Sequence, residues 1–430
     1  MPPPLNAALR KVLYFWVRTF LISAIALIFF LRGNIFESTT LIPSVSILIP
    51  VVVIALAAAA FSYIRLCGGP VLVRVSPIYV LLLAVILINI FSNVIFYPQH
   101  FALSMRFLLE ISLNFLIFYL FYLILTRVLD LRRLYLYIAA TSLLMIIPVS
   151  VIAYNLSSVR RIGAHDTGAT LPIAVNHLGH SFAISCIISG YAVLVNKDRR
   201  NHRKVALWSI MFLVALVSTV LTGSKAAVLS VGAFFFLEAL VRFRRHAAMI
   251  FVGTGSALIV ALLTVIMSVD EPGKYTNLID RFTWEAMLRG VSQRMDSFAL
   301  ALEGVRAKDL LLGVPWRYEP INDVQPVSYP HNIVLSFLIH TGLVPALLFL
   351  YLICARVYLL FVAIFTSTLS RFGTTTLSIF VAALTYSFTS GRLTRIMTIF
   401  VILAIVEYTI RLVRRSRFDG SIPSSDLLGA

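Results

Sequence analysis

The residues best suited to chemistry in this chain gather in one stretch, YPHNIVLSFLIHTG, from Tyr329 to Gly342. A Pro-His-Asn corner heads an otherwise apolar run. Proline disfavours helix at the residue before it and tolerates a first helical turn after it. The spacing therefore predicts a short helix starting at His331, covering Ile333, Val334, Phe337, Leu338 and Thr341, and ending at Gly342. The positive end of a helix dipole disfavours imidazolium, so His331 is expected to be neutral near pH 7, the form a general base needs. Free N–H groups of the same first turn can also hold an anion. His340 follows nine residues later. At about 100° per residue it points away from His331, so the two cannot share a metal, and His340 is expected to be a satisfied interfacial histidine.

A second group could bind anions. SVRRIGAHDTGATLPIAVNHLGH contains Arg160, Arg161, His165, Asp166, Asn176, His177 and His180, and LTGSKAAVLS puts Ser224 and Lys225 at a tight turn. Arg294 stands in a longer polar segment. Guanidinium matches phosphate bidentately, which makes phosphate the natural ligand of such arginines. No connector on this side has Asp-x-Asp, His-x-x-x-His or Cys-x-x-Cys spacing, and Glu37 and Asp166 stand alone, so no metal and no cofactor is expected. There is no Walker loop and no G-x-S-x-G elbow. Arg106 and Glu110 have the spacing of a helix ion pair. Glu407 lies inside an apolar run, a functional position by default, with no partner that local spacing can name.

The elements that hold these residues follow from composition. Of 430 residues, 60% are hydrophobic and 13% charged, against about 45–50% apolar in globular proteins. Runs long enough to span a bilayer lie near 13–32, 42–64, 76–97, 107–126, 134–153, 178–196, 205–222, 226–241, 247–268, 343–365, 374–390 and 396–412. The expected fold is therefore a single all-α polytopic membrane domain over 1–430, with about twelve transmembrane helices. Both termini then share one side. The net charge of +18 falls in short clusters between apolar runs, the pattern of topology signals, and no nucleic-acid partner is expected. Arg10, Lys11, Arg65, Arg74, Arg127, Arg132, Arg133, the NKDRRNHRK cluster, Arg371 and the arginines of the tail all fall on one side, which the positive-inside rule makes cytoplasmic. Residues 270–342 form the one large outer loop and short helix, with Met287, Leu288, Val291, Met295, Phe298, Leu302 and Val305 at amphipathic helical spacing. Cys67, Cys186 and Cys354 form no evident pair and are expected to be small apolar fillers.

With these residues in view, the chain resembles the O-antigen ligase family, part of a larger group of polytopic glycan ligases and polymerases. His331-Asn332, nine intervening residues and Gly342 match the family's His-Asn/Ser/Gln, x9, Gly pattern, while Pro345 stands where the family often has a small or polar residue. Gly223-Ser224-Lys225 resembles a Gly-Ser-Arg turn with lysine for arginine. Ser292-Gln293-Arg294 resembles the loop arginine, and LLGVPW the Gly-x-Gly that follows it, with Pro315 for the second glycine.

The resemblance implies a GT-C-like fold with a periplasmic active site in the bacterial inner membrane. It also implies transfer of a glycan from undecaprenyl pyrophosphate to a sugar hydroxyl of lipid A-core. His331 would be catalytic, Arg160, Arg161, Arg294 and Lys225 would bind the pyrophosphate, and Asn332 and Gly342 would support. The partners implied are the undecaprenyl-pyrophosphate-linked glycan, the lipid A-core acceptor and membrane lipids. An activated pyrophosphate leaving group neutralised by arginines requires no metal. Two other readings stay open. An O-antigen polymerase would use the same donor, and a transporter of an anionic solute would need repeats and charges near the bilayer midplane.

The alternation of basic clusters makes a direct prediction. Single cysteines placed in the 160–177 and 270–330 segments are expected to react with an impermeant thiol reagent in intact spheroplasts, and cysteines in 196–204 are not. Labelling of the 196–204 connector would overturn the whole arrangement.

Overall fold

In hydrocarbon no water is available to a backbone N–H or C=O, and a helix satisfies these groups within its own segment. The computed structural model describes residues 4–31, 45–156, 175–198, 201–222, 224–242, 307–314, 332–366, 370–390 and 397–419, with isolated positions between 292 and 302. Every regular element among the described residues is helical. In chain order these are α1 (Pro4–Ile25, continued by a π-helical turn, Ala26–Leu31), α2 (Val45–Leu66), α3 (Pro77–Phe96) and α4 (Phe101–Arg127). Next come α5 (Leu131–Leu156), α6 (Val175–Asp198), α7 (His202–Leu221) and α8 (Lys225–Arg242). The last five are α9 (Ala307–Leu312), α10 (Ile333–Thr341), α11 (Leu343–Thr366), α12 (Ser370–Ser390) and α13 (Met397–Asp419).

Seven stretches among the described residues are long and apolar enough to cross a membrane: Ala7–Phe29, Leu48–Leu66, Pro77–Phe96, Pro98–Arg127, Gly179–Asn196, His202–Val220 and Leu343–Ile364. The chain is a multi-pass helical membrane protein. Helices α5, α8, α12 and α13 cover four more of the apolar runs, whereas the run at 247–268 lies outside the described residues. Most of the 270–342 loop does so too, but Ser292, Met295, Asp296, Phe298, Ala299 and Leu302 within it are helical.

The packing is that of a bundle immersed in an apolar medium. In α3, Leu82, Ile86 and Ile90 face inward at 0–1% exposure, while Val80, Leu81, Ile88, Phe91 and Ile95 are exposed. Both faces are apolar, where a helix facing water would be polar on its outer side. Helix α13 is enclosed, with every residue from Ile399 to Val406 buried at 0–2%. It packs against α4, α11 and α12. The Arg106–Glu110 pair forms as the spacing predicts, Nε to Oε1 at 3.3 Å, and it lies on a partly exposed face.

Glu407 has its partner. It sits on α13, where Arg356 Nε of α11 donates to its Oε2 at 2.9 Å, with side-chain exposures of 8% for the arginine and 12% for the acid. The hydroxyl of Tyr79 on α3 lies 3.5 Å from the same oxygen, and the guanidinium stands 5.4 Å from the centre of the Tyr79 ring. Three helices are joined by one buried charge pair. The Thr376 hydroxyl bridges Tyr135 and Thr409, at 3.0 and 3.1 Å, and ties α5, α12 and α13 in the same manner.

Removing one member of a buried pair strands the other charge, which costs about 3–5 kcal/mol. Arg356→Ala and Glu407→Ala should each lower stability by that order, and Arg356→Met with Glu407→Leu should recover most of it. Thermal unfolding of the purified protein in detergent reads all three.

Candidate functional site

The motif helix begins two residues later than the proline rule predicts. Asn332 is extended (φ −140°, ψ 125°), and its side-chain oxygen accepts from the N–H groups of Val334 and Leu335, at 2.9 and 3.1 Å. Its carbonyl accepts the first intrahelical bond, from Ser336 N–H at 2.8 Å. Asn332 is thus an N-cap and α10 starts at Ile333. Two N–H groups that the sequence reading offered to an anion are therefore occupied by the chain's own asparagine. His331 precedes the cap instead of opening the first turn.

The other end of α10 is a one-residue break. Thr341 Oγ1 donates back to the Phe337 carbonyl at 2.8 Å, Gly342 N–H donates to that of Leu338 at 3.1 Å, and α11 starts at Leu343. Gly342 has φ +93°, and a Cβ there would run into the Leu311 carbonyl and the Asn89 amide. Only glycine meets both demands. Gly313 mirrors it across the contact: φ is +85° and a Cβ would stand 2.6 Å from the His340 carbonyl oxygen. The closeness lets Val314 N–H donate to the Ile339 carbonyl at 2.5 Å.

A helix end leaves carbonyls without partners, and inside the bundle they need donors. Helix α3 supplies them. Asn89 Nδ2 donates to the Thr341 carbonyl at 2.5 Å and Asn93 Nδ2 to that of Leu312 at 3.1 Å. The Tyr97 hydroxyl donates to Asp309 Oδ1 at 2.9 Å. Asn89 and Asn93 fall at i and i+4 on one face of α3, and Tyr97 is the residue that follows the helix. Sequence reading missed these three, although polar residues at helical spacing in an apolar run were a usable signal. Phe337 stacks on Phe349 at 4.1 Å and is fully buried, which seals α10 against α11. His340, expected at the interface, is 6% exposed, with its ring 5.5 Å from that of Phe107. It is buried because α10 is docked in the bundle and does not lie on its surface.

Lys225 belongs to a second polar group. It is the first residue of α8, half-buried, next to Ser224, which is 2% exposed. Thr222 Oγ1 donates to the Thr219 carbonyl at 2.6 Å and accepts from Ser224 N–H at 3.3 Å, which shapes the turn. Gly179 of α6 lies directly against it: a Cβ would stand 2.7 Å from Ser224 Cβ and 2.8 Å from Thr222 Oγ1. His180 is buried, with its ring 5.0 Å from Tyr386 on α12, and Ser181 Oγ donates to the Phe29 carbonyl in the π-helical turn. Thr398 Oγ1 reaches the neighbouring Ile28 carbonyl at 3.5 Å. A π-helical turn shifts carbonyls off the regular ladder, where such hydroxyls can reach them.

Lysine charge and the α8 dipole add at one place, a combination that favours an anion. Helix α12 packs against α10 as well as against α6 and α8, so it links the two polar groups. Of the residues singled out in the sequence, Asn332, Gly342 and Lys225 are described, while His331, Arg160, Arg161 and Arg294 lie outside the described residues. Asn176 and His177 open α6. In comparison with known proteins, no family model and no curated protein matches the chain.

Losing an N-cap side chain costs about 1 kcal/mol. Asn332→Ala should lower thermal stability by that order and Asn332→Asp should restore it. Gly342→Ala should cost clearly more, because it meets a forbidden φ and a carbonyl together. Unfolding curves of the three variants check the order.

Proposed function

We propose that the protein is a glycosyltransferase of the ligase type, moving a glycan from undecaprenyl pyrophosphate to a sugar hydroxyl of lipid A-core. The observation that carries this reading is the fold of the Asn332-to-Gly342 segment, which directly follows His331 in the sequence. It is a separate nine-residue helix with Asn332 as N-cap and Gly342 at a left-handed break. The two motif positions after the histidine each have a stereochemical task, which is what a segment built to hold His331 requires.

In this reading about twelve helices cross the bacterial inner membrane in a GT-C-like arrangement. Both termini are cytoplasmic and the 270–342 loop is periplasmic. His331, just outside the positive end of α10, is neutral near pH 7 and removes the proton of the acceptor hydroxyl. The freed oxygen attacks the anomeric carbon, the bond to the pyrophosphate oxygen breaks, and configuration inverts. Arg160, Arg161 and Arg294 neutralise the charge on the leaving pyrophosphate, and Lys225 at the start of α8 is assigned the same task. Since Asn332 occupies two first-turn N–H groups, the anion is held by side chains. No metal takes part in this scheme.

Purified protein with lipid-linked glycan and each of two acceptors tests it. Transfer to lipid A-core is expected, and transfer only to a second lipid-linked glycan would make the protein a polymerase. His331→Ala should slow transfer by about 10²–10⁴-fold while donor binding stays close to native. Alanine at Arg294 should cost about tenfold or more, and lysine there should rescue only in part, because it lacks the bidentate fork. Loss of donor binding in proportion to rate in His331→Ala would sink the general-base role.

A further inference from the structure

At the end of the bundle remote from α10, basic and aromatic residues line the junction of α1 and α5. Arg10, Tyr14 and Arg18 fall at i, i+4 and i+8 on α1, and Arg133 and Tyr137 at i, i+4 on α5. The Arg18 guanidinium stands 5.8 Å from the centre of the Tyr14 ring and 5.5 Å from that of Tyr137. Arg133 Nη1 donates to the Tyr14 hydroxyl at 3.1 Å. Tyr14 also lies against Tyr63 of α2, with ring centres 5.6 Å apart. These contacts fix one arginine a turn deeper than the other along the same seam.

The charges do not balance. Arg18 is exposed although it lies within the membrane-crossing stretch Ala7–Phe29, and no carboxylate pairs with it among the described residues. Asp130 is the one carboxylate on the described parts of α1, α2, α5 and the connectors that lead into them at this end, and it engages Arg133 at 3.5 Å. Arg10 donates its Nη2 to the Leu66 carbonyl at 3.0 Å, and its buried Nε has no hydrogen-bond partner. An exposed guanidinium at this depth needs an anion or a path to the headgroups. Tyrosine faces offset only part of its charge.

The flanks are apolar. Phe15 is 60% exposed, Trp16 44% and Leu136 43%, and Trp16 stacks on Phe20 at 5.4 Å. Tryptophan at this position marks the headgroup level of a bilayer. A free phosphate would have no use for these surfaces, whereas a lipid would lay its acyl chains along them.

We infer that the junction of α1 and α5, with Arg18 and Arg133 as its principal donors and Arg10 above them, binds the phosphate of an anionic phospholipid. Basic pockets between transmembrane helices recognise such headgroups through the same combination of charge and bidentate hydrogen bonding. The site is independent of the transferase reading, since it lies at the opposite end of the bundle.

Native mass spectrometry of the full chain, equilibrated in detergent with equal phosphatidylglycerol and phosphatidylcholine, tests the assignment. Phosphatidylglycerol should be retained in preference, and retention should fall about fivefold for each arginine removed in Arg18→Gln and Arg133→Gln. Arg127→Gln with Lys204→Gln, basic positions outside the cluster, should leave retention unchanged. Excess inorganic phosphate should not displace the lipid. Equal retention of the two lipids by the native chain would overturn the proposal, as would undiminished retention in the variants or an equal loss in the Arg127/Lys204 control. Displacement by phosphate would make it a free-anion site instead. Should Arg18→Gln not yield monodisperse protein, the native comparison and Arg133→Gln, at an exposed side chain, decide by the same criteria.

Discussion

A backbone carbonyl inside an apolar bundle must find a donor, and this protein breaks two helices against its packed interior, one at the buried Thr341 and one at the half-buried Leu312. Helix α9 ends at Leu312 and α10 at Thr341, each followed by a glycine with positive φ. The carbonyls left there are taken by Asn93 and Asn89, and that of Ile339 by Val314 N–H. Much of the architecture around α10 follows from this. The two glycines must lack side chains so that the strands of backbone can approach, and α3 must present amides at one-turn intervals. Phe337 can then stack on Phe349 because the break at Gly342 folds α10 back against α11. A leucine at 89 or 93 would suit the hydrocarbon better and leave the elbow without donors.

Charge is handled by the same economy of partners. Within the bundle, Glu407 and Arg356 neutralise one another, with Tyr79 supplying both an hydroxyl and a ring face. At the rims, basic groups stand at a helix end and on an exposed face. Lys225 reinforces the positive end of α8 beside a buried serine, and Arg18 stands exposed over two tyrosines at the other end. The buried pair joins helices, whereas the two rims are suited to anionic ligands that diffuse in the membrane or at its surface. In the two proposals these are a lipid pyrophosphate at one end and, independently of the reaction, a phospholipid at the other.

The local grammar of the motif segment was legible. Pro330, Asn332 and Gly342 announce a short helix between two breaks, and α10 begins two residues after the predicted start, with Gly342 ending it as expected. The shift arises from a competition that the proline rule omits. Asparagine satisfies two N–H groups from an extended conformation, which makes it a better cap than a first helical residue. The burial of His340 was not legible, because position on a short helix says nothing of how deeply the helix is docked. Four of the residues assigned to the chemistry, His331, Arg160, Arg161 and Arg294, rest on motif and charge pattern alone.

What the amino-acid sequence determined by itself is that the chain crosses a membrane as helices. Hydrocarbon imposes that on each apolar segment separately, so the information is local and run length suffices to read it. Which face of each helix turns inward was decided only by the tertiary structure. Lipid and protein interior are equally apolar, so Ile88 and Ile90 look alike in the sequence although one is exposed and the other fully buried. The same is true of the pairings that join the helices. Arg356 and Glu407 are 51 residues apart, and Asn89 and Thr341 are 252 apart. No periodicity connects such positions. Each is an isolated polar group whose cost in hydrocarbon is certain from the sequence, and whose partner exists only once the helices have packed.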